Sequence, residues 1–185
     1  MNLRALAAVA VAALAAALLV PAGAAEARAG ASVTVADMAF GPAAVTVGLG
    51  QSVTWPFEDP VAHTTTSDQG FWDSGTRSGG ATYVRAFTSA GTFAYHCAIH
   101  TMMRGSVKVP VAAKGHKITW ASAKTAGLTY DVQTKLGSGK WVTLKSGTAT
   151  TSAKLTKQGK YLVRARTDKG SSRSGWSPPV AVSIS

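Results

Sequence analysis

The chain has 185 residues, 46% of them hydrophobic and 15% charged, with a formal net charge of +11 and a single cysteine. One thiol excludes an intrachain disulfide framework, and beyond the N-terminal segment no stretch stays apolar over the ~20 residues that a membrane span requires. The charge is lopsided: residues 28–110 carry five basic and five acidic side chains, whereas residues 111–185 carry 13 Lys and Arg against Asp131 and Asp168, so 13 minus 2 accounts for the whole net charge. An asymmetry of this kind points to two domains.

The first element is a secretory signal peptide over residues 1–27. Arg4 supplies the positive charge, an Ala/Leu/Val run covers residues 5–20, and Ala-x-Ala cleavage options fall at 22–24 and 25–27. Export and cleavage leave a protein with no membrane span, in a secreted or extracytoplasmic location. The remainder reads as all-β, because neither half shows a sustained 3.6-residue apolar period and both are rich in Thr, Val, Ser and Gly. Strands are expected at 32–35, 44–47, 52–55, 82–87, 92–97 and 105–109, with turns at Gly41-Pro42, Gly48-Leu-Gly50, Gly79-Gly80 and Ala90-Gly91. Short strands at regular spacing suit a β-sandwich. Alternation puts Phe93, Tyr95 and Cys97 on the inner face of one strand, and Ala94 and His96 on the outer face. A linker is expected over 111–116, between a first domain at 28–110 and a second at 117–185. Six further strands are expected in the latter, at 117–120, 130–134, 141–145, 153–155, 161–166 and 180–184.

The chemistry concentrates in the segment 95–105, where Cys97, His100 and Met103 stand at Cys-x-x-His-x-x-Met spacing. An electron-transfer copper site needs a thiolate, two imidazoles in trigonal array and a weak axial thioether. One loop offers three of these. His63, 34 residues before Cys97 and just after the 52–55 strand, is the candidate for the fourth. Met102 adjoins Met103 and competes for the axial role. Zinc also takes Cys and His, but a thioether suits it poorly. A nucleophilic Cys97 activated by His100 would need an orienting carboxylate, and no Asp or Glu lies between Asp73 and Asp131. His96 and His116 read as surface groups, too few for a second copper cluster. The chain is not expected to be an enzyme.

The run 32–109 resembles a small bacterial cupredoxin, a blue copper protein of the plastocyanin and amicyanin kind. The resemblance rests on Val-Thr-Val-x-x-Met-x-Phe-x-Pro from Val33 to Pro42, on Gly-Gln-Ser-Val-Thr-Trp from Gly50, on Ala-His-Thr from Ala62, and on Gly-Thr-Phe-Ala-Tyr-His-Cys-Ala-Ile-His from Gly91 to His100. It implies a Greek-key β-sandwich, one Cu(I)/Cu(II) ion, and His63, Cys97, His100 and Met103 as its ligands. It also implies outer-sphere electron transfer to a partner protein through His100, with Met38, Phe40 and Met102 as the apolar docking rim. Two positions depart from the pattern: Pro56-Phe57 follows Trp55 where an Asn is usual, and Thr101 stands where many relatives have Pro.

Residues 118–184 resemble a fibronectin type III domain, an immunoglobulin-like β-sandwich. The resemblance is carried by Ile118-Thr-Trp120, Tyr130-Asp-Val132, Trp141, Leu155 with Tyr161-Leu-Val-Arg-Ala-Arg, and Ser174-Gly-Trp-Ser-Pro178. It implies Trp120 as core indole and Tyr161 as corner tyrosine. Spacing or adhesion is the expected work of this half, whose basic residues suit an anionic cell-envelope polymer, an acidic redox partner or anionic lipid headgroups, or simply a solvated surface. Nucleic acid is not expected for an exported chain. The alternative for the whole protein is copper sequestration, or envelope adhesion without a redox partner.

Overall fold

The computed structural model describes residues 28–185, so the signal segment at 1–27 lies outside the described residues. All regular structure within them is β. The first module contains β1 (Arg28–Ser32), β2 (Thr34–Ala36), β3 (Ala39–Gly41), β4 (Ala44–Thr46), β5 (Gln51–Pro56), β6 (Thr66–Ser67), β7 (Thr82–Ala86), β8 (Gly91–His96) and β9 (Arg104–Val109). One sheet has the order β1-β5-β7, the facing sheet β4-β9-β8-β6, and β2-β3 is a hairpin. β8 buries Phe93 and Tyr95 while turning Ala94 and His96 outward, as the period-2 alternation predicts. Aromatic rings join the two sheets. Trp55 of β5 meets Tyr95 edge-on with centroids 5.7 Å apart, and Phe40 tilts onto Tyr95 at 4.8 Å.

The second module contains β10 (Ala112–Lys114), β11 (Lys117–Thr119), β12 (Leu128–Leu136), β13 (Val142–Thr148), β14 (Ser152–Lys154), β15 (Gly159–Lys169), β16 (Ser172–Arg173) and β17 (Val180–Ile184). The sheet β10-β11-β14 faces the sheet β13-β12-β15-β16, to which β17 is added on β15. Ile118, Trp120, Tyr130, Val132, Val163 and Ala165 fill the space between them.

The expected linker at 111–116 is corrected by the structure. Val111 is buried in the second core, Ala112–Lys114 forms the antiparallel strand β10 against β11, and only Gly115-His116 turns between them. A run of small residues with two lysines carries no alternation strong enough to mark a strand. Its pairing is imposed by β11.

The two modules are sewn together at the expected Ala90-Gly91 turn. Ala90 is fully buried and belongs to the second core. Its N–H donates to the Trp120 carbonyl at 2.8 Å, and its carbonyl accepts the Thr167 hydroxyl at 2.8 Å. Thr92 and Gly175 exchange backbone hydrogen bonds in both directions at 2.9 Å. The Thr92 hydroxyl adds a bond to the Trp176 carbonyl at 2.8 Å.

Candidate metal centre

The pole of the first module opposite this junction gathers His63, Cys97 and His100 from two loops, with Met103 at the end of the second. After β5 the chain runs through 57–65, and His63 is fixed there by reciprocal backbone bonds with Arg77 at 2.8 and 2.9 Å. Cys97 follows the last residue of β8. The loop from Cys97 to Met103 is closed by Met103 N–H to the His100 carbonyl at 2.9 Å and by Cys97 N–H to the Met103 carbonyl at 3.1 Å.

His63 and Cys97 are fully buried and His100 is half-buried. The Cys97 Sγ stands 3.8 Å from His63 Nδ1 and 3.7 Å from His100 Nδ1, and the two Nδ1 atoms are 3.1 Å apart. Donors held about 2.0–2.3 Å from a common ion are separated by roughly such edges. His63 Nε2–H donates to Asp59 Oδ2 at 3.0 Å, which leaves the Nδ1 lone pair aimed at the sulfur. Two imidazole lone pairs facing each other beside a thiolate suit a shared cation, so the donor set fits copper.

Met103 is 2% exposed and packs in the same core as Cys97, whereas the competing Met102 is 81% exposed. Of the expected rim, Met38 and Met102 face solvent, but Phe40 does not. Its place opposite Val35 in the β2-β3 hairpin turns it inward onto Tyr95, and it is 5% exposed. Exposed Ile99 in the ligand loop and Val61 before His63 were not singled out from sequence. Apolar residues flanking a ligand were the available signal. His96 pairs outward with Asp68 at 2.5 Å, and His116 lies in the β10-β11 turn with a bond to the Leu155 carbonyl. Neither approaches the centre.

Sequence reasoning missed two supporting residues. Asp59 accepts the His63 proton and also the Met38 N–H at 3.4 Å. The Asp37 backbone N–H, followed by His63 and Met38, holds its carboxyl below the usual range. A carboxylate four positions before a ligand histidine was the legible sign. Thr64 donates its N–H to Cys97 Sγ at 3.3 Å, and its hydroxyl accepts the Ala98 N–H at 2.8 Å. It therefore clamps the two loops from both sides of the sulfur. Burial pushes the Cys97 thiol up, but the N–H groups of Thr64 and His100, with His63 and Ile99, outweigh it and bring the group down to about 6.

A β-sandwich that converges two imidazoles and a thiolate at one pole defines a cupredoxin-class copper protein. Residues 27–110 match the family described as copper binding proteins, plastocyanin/azurin family. Among solved structures, the Cu(I) form of a methionine-to-alanine mutant of amicyanin is 30% identical over 45% of this chain and 84% of its own, with a TM-score of 0.42. The reduced Cu(I) form at pH 4 of a proline-to-glycine mutant of amicyanin is 29% identical over 43% and 81%, with a TM-score of 0.41. Among curated protein sequences none matches. Residues 27–110 are thus a copper-binding domain of the plastocyanin/azurin type.

Proposed function

We propose that this protein is an exported electron carrier working by outer-sphere, one-electron transfer, with His63, Cys97, His100 and Met103 as copper ligands. The observation that carries this reading is the triangle of His63, Cys97 and His100, whose ligand atoms all lie within 4.8 Å of one another in a largely buried pocket. Copper supplies a Cu(I)/Cu(II) couple there. Cys97 provides the thiolate, already favoured by two backbone N–H groups. Asp59 fixes the His63 ring, and Thr64 fixes the sulfur, so the donor set is held before any ion arrives and needs little rearrangement between oxidation states. Four protein ligands leave no position for a substrate, which favours transfer over catalysis. Half-buried His100 is the side from which an electron leaves, with Met38, Val61, Ile99 and Met102 as the docking rim of a redox partner.

We read the second module as fibronectin type III-like and as a spacer that contacts an anionic envelope polymer. The Tyr161 hydroxyl donates to the Lys157 carbonyl at 3.1 Å, the bond of a tyrosine corner. The N-terminal apolar run supports export.

Adding Cu(II) to the purified mature protein tests the main reading. An intense visible thiolate-to-copper band, absent in Cys97→Ser, is expected. A colourless protein that still binds copper without Cys97 would favour sequestration instead.

A further inference from the structure

The smaller sheet of the second module carries its charge in an unusual register. Lys114 of β10 is directly opposite Lys117 of β11, and Lys117 is directly opposite Lys154 of β14. All three are exposed. Adjacent strands lie about 4.7–4.9 Å apart, so three ammonium groups form a row on one face. Like charges directly opposite one another destabilise a sheet. Among the described residues none of the three is in an ion pair. The module's two acids belong to the other sheet, where Asp131 holds Arg166 at 2.8 Å and Asp168 holds Arg173. Among the described residues no ion pair relieves the row.

We infer that the outer face of the β10-β11-β14 sheet is a docking strip for a linear, phosphate-bearing envelope polymer, gripped by Lys114, Lys117 and Lys154. This rests on the reading of the second module as an envelope contact and names where and what it contacts. The next row on the same face is Ala112, Thr119 and Ser152, flat and small, so an extended chain can lie across the strands. That row offers nothing large and apolar to enter a lipid surface. The cations are all lysines, point charges suited to phosphate; planar carboxylates favour the fork of arginine. Beside the row, a cleft of about 210 Å³ borders Lys154 and Lys157 and is lined by no acid. The strip is also set apart from the junction along β11. Trp120, whose carbonyl binds Ala90, is three positions beyond Lys117, about 10 Å along the chain. Ala90 in turn sits at the opposite end of β8 from Cys97. A polymer on the strip leaves the copper pole free.

The test uses the full mature chain and long-chain inorganic polyphosphate as probe, comparing K114Q/K117Q/K154Q with K140Q/K145Q/K160Q, which removes the same charge from exposed positions elsewhere. If the strip is the site, the first variant binds at least about 10-fold more weakly and its log-affinity against log-salt slope falls by about 2, while the second stays near wild type. Relief of repulsion means the first variant melts no lower than wild type, which separates lost binding from lost folding. Equal weakening by both variants would reduce the effect to net charge and overturn the strip while keeping the envelope contact. No binding by the wild type would overturn both. Preferential, row-dependent retention on vesicles of anionic lipid over polyphosphate would replace the polymer with a headgroup surface and overturn the assignment.

Discussion

Cys97 is the residue on which the first module turns, and its neighbours set its acidity. Because its folded value is about 6 against 9.0 for the free thiol, the unfolded chain binds more protons between those limits. In copper-free protein the thiolate therefore adds stability that is complete above about pH 9 and is lost as pH falls through about 6. Thermal melts of copper-free wild type should rise across that window relative to Cys97→Ser, and thiolate absorbance should titrate with a midpoint of about 6. Asp59 acts through His63. Asp59→Ala leaves the imidazole free to rotate and to take the wrong tautomer, so Cu(I) affinity should fall by about 10–100-fold in a chelator competition. The candidate ligands His63, Cys97, His100 and Met103 came from residue type, spacing and the cupredoxin resemblance together, and the structure brings the ligand atoms of the first three within 4.8 Å of one another. Asp59 left only the sign of a carboxylate four positions before a histidine, and Thr64 left none, because a hydroxyl in a polar loop looks the same whether or not it touches a ligand.

At the scale of elements, the pairing of β8 with β9 places Tyr95 opposite Gly105. A Cβ at Gly105 would overlap the Tyr95 ring, which is fully buried against Trp55 and Phe40. Gly105→Ala should therefore destabilise the protein by about 1–3 kcal/mol. It should also perturb the visible copper band, since β9 begins directly after Met103. Chemical denaturation and absorption spectra check both. Strands with strong alternation, such as β5 and β8, were legible in the sequence. β3, β6 and β10 were not, because each has only two or three residues and is held by the neighbour it pairs with. The Phe40 expectation failed for the same reason: without β3, nothing in the sequence says which way that ring points.

On the scale of the whole molecule, the charge asymmetry pointed to two domains, and the described residues form two core clusters whose seam the sequence did not mark. The seam is the segment around Ala90, far from the expected linker in sequence. Its reciprocal backbone bonds and the buried Ala90 methyl should make unfolding a single calorimetric transition. Ala90→Arg should split that transition into two while retaining the copper band. The same clamp has a consequence for encounter. A domain on a loose tether samples a volume set by the length of its chain, whereas here the bonds of Ala90 and Thr92 tie the module that carries the copper pole directly to its neighbour. If the second module is held at a surface as proposed, the stand-off of that pole is set by the length of a folded sandwich and not by the statistics of a coil.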